Sequence, residues 1–166
     1  MAALTPDATR VIPVGHPWQK ARGPVASATH RVAMLRLALQ VYPTARVDAR
    51  ELTRAGATYT VDTLTELNAE HPHDTFTWLI GSDAFAKLDT WHRATDLARL
   101  TSFAVVCRAG ASITLPALAT TYTRLDFAPP PISSTDVRAT LAAGRAIRGL
   151  VPEHVCDYIE HHHLYR

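Results

Sequence analysis

The sequence predicts an α/β fold whose sheet is mostly parallel, with helices on both faces. Candidate strands alternate with candidate helices along the 166 residues. The strongest strands, 76–80 and 102–107, are apolar without alternation, which is typical of strands buried on both faces. No internal repeat or long linker divides the chain. We therefore expect a single domain over residues 1–166, with ligands bound beyond the carboxyl ends of the strands.

Five short segments have the composition of strands. They are rich in β-branched and apolar residues and are bounded by turn residues, and they lie at 10–14, 45–48, 76–80, 102–107 and 123–127. Pro13 disfavours a regular central position in the first strand, because proline has no amide hydrogen. The third strand runs directly into Gly81, which predicts a turn at its carboxyl end.

The first predicted helix covers residues 27–42. Ser27 is a suitable N-cap and Pro43 a stop signal. Apolar residues recur at spacings of three and four, as on one face of a helix, at Val32, Leu35, Leu39 and Tyr42.

Five further helices follow, at 59–71, 83–88, 95–100, 134–143 and 152–162. Each has an apolar periodicity or a capping signal, such as Gly144 after the helix at 134–143 and Pro152 in the first turn of the helix at 152–162. The two short helices flank an exposed pair, Thr90–Trp91. The histidines at 161–163 close the last helix, where we expect a solvated helix end.

Composition excludes several classes of protein. The net charge is only +2, which does not predict binding to nucleic acid. No apolar run approaches the roughly 20 residues of a membrane helix, and the first residues do not form a signal peptide. Cys107 and Cys156 have no metal-ligand spacing and are expected to be free thiols. We expect a cytoplasmic protein.

The segment Ile132–Arg138 is a candidate phosphate site. Ser133 and Thr135 open a helix, and Arg138 follows one turn later. Free N–H groups, hydroxyls and a guanidinium at a helix start can bind phosphate. The alternative is an ordinary N-cap by Ser133 or Ser134 with Arg138 in solvent, and these residues taken alone favour it.

A second candidate is the loop 15–22, which follows the first strand. It carries Lys20 and Arg22, whose charges could hold a phosphate. The alternative is a solvated loop, in which His16 is a turn residue and not a catalyst.

Two further segments stand where ligands would bind. Gly81 would let a ligand approach the backbone and Asp83 could accept hydrogen bonds from a ribose, unless this turn only caps a helix. Thr60 and Trp91 lie in two other turns, where the indole could stack on a planar ring. The alternative for Trp91 is packing against the body of the protein.

In their order, these segments resemble the bacterial nicotinate-mononucleotide adenylyltransferases. The matching motifs cover nearly the whole chain: Pro17-Trp-Gln-Lys20, Arg31-Val-Ala-Met-Leu35, Glu51-Leu52, Gly56-Ala-Thr-Tyr-Thr-Val-Asp-Thr-Leu64, Ile80-Gly-Ser-Asp83, Thr90-Trp91, Ile132 to Arg138, Val151-Pro152, Tyr158-Ile159 and Leu164-Tyr165-Arg166.

The resemblance implies a Rossmann-like nucleotidyltransferase of NAD biosynthesis. Such an enzyme joins ATP and nicotinate mononucleotide to give deamido-NAD and pyrophosphate, with Mg²⁺ held mainly by the ATP phosphates. The implied roles are as follows: ATP binding by Gly81, Asp83, Ser133, Thr135 and Arg138; nicotinate mononucleotide binding by Thr60, Trp91 and Lys20; and support of catalysis by Lys20 and Arg138.

The family also carries a Gly-x-Phe-Asp-Pro-x-His-x-Gly-His segment on its first strand and helix, and this sequence does not contain it. We therefore expect an N-terminally incomplete domain without its first, central strand and first helix. Apolar side chains of the strands at 11–14 and 76–80 should then be exposed, and the 166 residues should have little or no activity.

Two alternatives stay open. One is a related nucleotidyltransferase that uses another phosphate acceptor, such as pantetheine phosphate. Tyr59-Thr60 and Thr90-Trp91 favour the nicotinate acceptor over that one. The other is a non-catalytic nucleotide-binding protein, which the absent histidine motif favours.

Overall fold

Helices and strands alternate along the chain, as the sequence predicts. The computed structural model describes residues 4–15, 26–107, 112–118, 121–127 and 130–165. The elements are β1 (Thr9–Val11), α1 (Ala28–Leu39), β2 (Ala45–Val47), α2 (Arg50–Thr53), α3 (Thr60–Glu70), β3 (Thr77–Gly81), α4 (Ser82–Phe85), a 3-10 helix (Leu88–Thr90), α5 (Ala94–Leu100), β4 (Ser102–Cys107), β5 (Tyr122–Asp126), α6 (Ser134–Ala142) and α7 (Glu153–His161).

Most predicted ends are correct to within a few residues, and three differences have a physical cause. The first strand ends at Val11 and not at Val14, because Pro13 cannot continue a hydrogen-bonded ladder. The predicted helix 83–88 is divided into α4 and the 3-10 helix. Helix α2 was not predicted, because four residues are too few to show a helical period.

The described residues form two compact units. One, here called the β3 unit, comprises Met1–Thr5 and Thr58–Pro129, and the other, the α1 unit, comprises Pro6–Ala57 and Pro130–Arg166. The expected single-domain organisation stays a prediction. Among the described residues, no helix has the length and apolar character needed to span a membrane.

The β3 unit is built on a parallel sheet of order β3-β4-β5. β4 is its central strand, and Phe103, Ala104, Val105 and Cys107 are buried in it. The apolar faces of the neighbouring helices complete the core, with Val61, Leu64, Leu67, Phe85, Leu88 and Leu97 all nearly inaccessible to solvent. The predicted apolar face of the helix at 59–71 is therefore confirmed.

Strand β3 has one free edge and one uncovered face in the described structure. It pairs only with β4 among the described strands. Ile80 is 5% exposed but its neighbour Leu79 is 61% exposed. The Ile80 side chain therefore faces the core, and the Leu79 side chain faces solvent. The expected exposure of apolar side chains on the strand at 76–80 is confirmed at Leu79.

The α1 unit contains the parallel pair β1-β2, in register from Thr9 with Ala45 to Val11 with Val47. Its core is formed by Leu141, Ile147, Val155, Cys156 and Ile159, against which Met34, Leu37 and Ala38 of α1 pack.

The residues of α1 that contact this core are not those that the periodicity indicated. No residue of α1 is fully buried, and Tyr42 lies beyond the helix with 59% of its surface exposed. Because α1 contacts both β2 and α7, partial burial is spread around the helix. Val32, Leu35 and Leu39 of the expected stripe are half-buried, and only its extension to Tyr42 was wrong. The N-cap by Ser27 is confirmed, since its hydroxyl accepts a hydrogen bond from the His30 amide at 3.3 Å.

Candidate functional site

The turn before α3 and the turn after the 3-10 helix meet through two rings. Tyr59 immediately precedes α3, and His92 immediately follows Trp91. The Tyr59 and His92 rings stack with their centroids 4.1 Å apart and their planes 27° apart. Consecutive Cα atoms are about 3.8 Å apart. The backbones of Thr60 and Trp91 are therefore each one residue away from this contact.

Two features order the turn that carries Trp91: a pair of hydrogen bonds to Asp89 and the left-handed backbone of Arg93. The Asp89 carboxylate accepts hydrogen bonds from the Ala117 and Leu118 amides at 3.0 and 3.2 Å. Arg93 is in the left-handed region with φ of 50°, which is uncommon for residues other than glycine. The turn is thus held by neighbouring backbone and by a specific local conformation.

The side chains of Thr60 and Trp91 are half-buried and make no hydrogen bond to the rest of the described chain. One neighbouring hydroxyl is more unusual. Thr58 is 7% exposed, and its Oγ1 is buried without a partner in the described structure. Buried hydroxyls are normally hydrogen-bonded, so this hydroxyl is an exception in the described structure.

Gly81 and Asp83 lie where β3 ends and α4 begins. A Cβ added to Gly81 would meet nothing within 4 Å, so packing within the chain does not require glycine there. Asp83 is exposed and forms no ion pair with the described residues. The sequence-predicted pair therefore stands at the carboxyl end of a parallel strand, with open space beside the glycine and an available carboxylate.

The start of α6 is a complete capping box. The Ser133 hydroxyl accepts a hydrogen bond from the Asp136 amide at 3.1 Å, while the Asp136 carboxylate accepts from the Ser133 amide at 3.3 Å and from the Ser133 hydroxyl. The ordinary N-cap considered as the alternative is present at Ser133. Because its proton is already donated to Asp136, Ser133 is not a free phosphate donor in this arrangement.

Thr135 and Arg138 are different from Ser133. Both are exposed, and neither makes a hydrogen bond within the described chain. Arg138 and Arg31 act electrostatically on Tyr165, where they oppose the rise that burial causes in the pKa of the phenol. Two guanidinium groups of the α1 unit, that of Arg138 on α6 and that of Arg31 on α1, therefore both act on Tyr165.

Arg31 is a residue whose role the sequence reasoning missed, although it lies in a quoted motif. Its Nη1 donates to the Val14 carbonyl at 2.6 Å and its Nη2 to the Gly15 carbonyl at 3.5 Å. It thereby holds the backbone that leads into the predicted cation loop. Lys20 lies outside the described residues. The sequence offered one signal for this role, since an arginine on a partly buried helix face needs hydrogen-bond acceptors nearby.

The structure thus brings Thr60 and Trp91 into neighbouring turns of the β3 unit, which also carries Gly81 and Asp83. Ser133, Thr135 and Arg138 belong to the α1 unit. The assigned roles of these residues stay predictions.

The comparisons with known proteins concern the chain as a whole. The profile of the cytidylyltransferase-like family matches residues 2–140. A Bordetella pertussis protein named "Probable nicotinate-nucleotide adenylyltransferase" is 41% identical over 169 residues, which cover 96% of this chain and 83% of that protein. The chain belongs to this adenylyltransferase family. An Albidiferax ferrireducens protein of the same name is 38% identical, with 100% of this chain and 86% of that protein covered.

Solved structures of adenylyltransferases share the fold. The Plasmodium falciparum nicotinic acid mononucleotide adenylyltransferase complexed with NaAD has a TM-score of 0.76 at 19% identity, covering 96% of this chain and 82% of that chain. The complex of the same enzyme with APC has a TM-score of 0.72. The predicted Rossmann-like nucleotidyltransferase architecture with parallel strands is confirmed.

The donors present also bear on the expected Mg²⁺. Among the described residues, no group of three or more histidines, cysteines or carboxylates could hold a metal ion. Mg²⁺ in nucleotide sites is usually bound by substrate phosphates, water and at most one or two carboxylates. The expected Mg²⁺ stays a prediction.

Proposed function

We propose that this protein transfers the adenylyl group of ATP to nicotinate mononucleotide, giving deamido-NAD and pyrophosphate in NAD biosynthesis. The observation that best supports the proposal is the 41% identity to a protein named for this activity, over 96% of the chain. The geometry agrees with an aromatic acceptor, because Thr60 and the half-buried Trp91 lie in turns joined by a ring stack.

The reaction needs no nucleophile from the protein. A phosphate oxygen of nicotinate mononucleotide forms a bond to the α-phosphorus of ATP, and the bond from that phosphorus to the bridging oxygen breaks. Its electron pair leaves with pyrophosphate. Catalysis then depends on holding two polyanions together and on neutralising their charge. Mg²⁺ bound to the ATP phosphates would supply part of that neutralisation.

On the ATP side, Thr135 and Arg138 have the chemistry for the phosphates. A hydroxyl in the first turn of a helix and a guanidinium one turn further can donate to phosphate oxygens. Ser133 would stabilise this helix start through its capping box, and it would contact phosphate directly only if its hydroxyl left Asp136. Gly81 and Asp83 would face the adenosine ribose, with Asp83 accepting from hydroxyl groups.

On the acceptor side, Trp91 would stack on the nicotinate ring and Thr60 would hold it in place. Lys20 would lie near the reacting phosphates. Indole stacking discriminates a flat aromatic acid from an aliphatic acceptor such as pantetheine phosphate, because only the former presents a π face.

The test is a coupled pyrophosphate-release assay on two proteins, the 166-residue chain and one extended upstream in the same reading frame. Each is given ATP with nicotinate mononucleotide or with pantetheine phosphate. We expect release only with nicotinate mononucleotide. ATP binding without release from either protein would instead support the non-catalytic alternative. Release with pantetheine phosphate alone would contradict the proposed acceptor.

A further inference from the structure

We infer that the stacked Tyr59–His92 pair is a positioning device of the acceptor site, which sets the spacing between Thr60 and Trp91 and hence the affinity for an aromatic acceptor. This inference rests on the proposed function. The sequence assigned no role to His92, and it gave Tyr59 a part only within the Tyr59-Thr60 motif. The two rings join segments that are 33 positions apart in the chain, so their contact is a product of the tertiary structure.

The stack is one of two side-chain contacts described between these two segments. The ring centroids are 4.1 Å apart, which is near the lower limit for favourable aromatic pairs. The other link is an ion pair between Arg93 Nη1 and Asp62 Oδ1 at 3.7 Å, whose side chains are 52% and 38% exposed. Arg93 Nε also bonds Asp96 at 2.8 Å. An exposed and shared ion pair contributes little, so the ring stack is the stronger of these two side-chain contacts, while buried core residues such as Val61 and Leu88 fix the elements behind the turns.

The hydroxyl of Thr58 is an independent sign that a ligand binds at this turn. Thr58 is next to Tyr59, is 7% exposed and has a buried Oγ1 without a partner in the described residues. Leaving a buried hydroxyl unpaired is unfavourable. A polar group of the bound acceptor, whose carboxylate and ribose hydroxyls both accept hydrogen bonds, would satisfy it.

Removing either ring should therefore loosen the acceptor side and leave the ATP side unchanged. A planar acceptor must contact both turns at once, and its affinity depends on their spacing being set before binding. ATP was assigned to other residues, Thr135 and Arg138 among them. The role is one of positioning, since nothing requires Tyr59 or His92 to touch the reacting phosphates.

The experiment uses the upstream-extended protein and measures KM and kcat for each substrate, with dissociation constants by calorimetry. The variants are His92→Leu and Tyr59→Leu, with ring-conserving His92→Phe and Tyr59→Phe. We expect the KM and dissociation constant for nicotinate mononucleotide to rise about tenfold in the leucine variants. The phenylalanine variants should stay within about twofold of wild type, and the values for ATP should not change.

Two further variants separate positioning from general damage to the fold. Tyr122→Leu removes a different aromatic contact of the same unit, that with Phe85 at 5.4 Å, and should not change acceptor affinity. Thr58→Val removes the unpaired hydroxyl, and it should weaken acceptor binding without lowering the melting temperature.

The outcomes distinguish this inference from the function on which it rests. If wild type binds nicotinate mononucleotide and the leucine variants bind it equally well, the positioning role is wrong and the proposed function stands. If Tyr122→Leu weakens acceptor binding as much as His92→Leu, the effect is a general loss of stability and the inference also fails. If wild type does not bind the acceptor at all, both proposals fail.

Discussion

Substitutions at the start of α6 should separate a structural hydroxyl from a phosphate-binding one. Ser133 both caps the helix and donates to Asp136, whereas Thr135 is exposed and makes no hydrogen bond within the described chain. Ser133→Ala should therefore cost stability, and Thr135→Val should cost ATP affinity. Ser134→Ala is the matched control, since Ser134 opens the same helix without a described bond.

The magnitudes follow from the contacts. Losing the Ser133 cap should lower the free energy of unfolding by about 1 kcal/mol, or roughly 2–4 °C in melting temperature for a chain of this size. Thr135→Val should change stability by no more than about 0.5 kcal/mol. A hydrogen bond to a charged phosphate contributes about 1.5–3 kcal/mol, so its loss should raise the ATP dissociation constant roughly 10- to 150-fold.

The assays are thermal unfolding followed by circular dichroism and calorimetric titration with ATP and Mg²⁺. In Ser133→Ala the ATP dissociation constant should rise less than in Thr135→Val, because the Ser133 proton is already donated to Asp136. The reasoning is refuted if Thr135→Val leaves ATP binding unchanged, or if Ser133→Ala weakens ATP binding more than Thr135→Val does.

Three other predictions concern packing, loop order and pH. Leu64→Ala, at a site 1% exposed, should cost about 2–5 kcal/mol in urea unfolding, whereas Leu79→Ala, at a site 61% exposed, should cost about 1 kcal/mol or less; equal costs would show that the β3 face is covered. Arg31→Lys should hold the backbone at Val14 and Gly15 less firmly and lower the free energy of unfolding by about 1 kcal/mol, because lysine cannot hold both carbonyls, and an unchanged urea midpoint would contradict this. Desolvation and the charges of neighbouring histidines lower the pKa of His162 from its usual 6.5. The native state therefore binds fewer protons, and stability should fall as pH drops through 6.5. His162→Phe should flatten that fall in urea midpoints measured between pH 8 and pH 5.5.

The sequence was a good guide wherever a local physical signal was strong. The apolar run of β4 was placed at residues 102–107 and is found there, because a strand buried on both faces cannot alternate. Ser27 and the start of α6 were recognised from capping chemistry, which acts over only three or four residues. Their hydrogen bonds confirm both helix starts.

The sequence was a poor guide where burial depends on what a helix packs against. In α1 the predicted stripe extended to Tyr42, which lies beyond the helix and is 59% exposed. The stripe also did not include Met34, Leu37 and Ala38, which pack against the core of the α1 unit. Leucine and other apolar residues occur on several sides of this helix, so several apolar faces fit a helical period equally well. Only the positions of α7 and β2 select one of them.

Local chemistry, then, was enough to place the parallel strands, the caps and the motif segments of this adenylyltransferase relative, because these depend on residues close together in the chain. Distant contacts were decided by the tertiary structure alone: the stack of Tyr59 on His92 and the hold of Arg31 on Val14 and Gly15. Each of these depends on which segment folds against which, and no spacing within one segment encodes that.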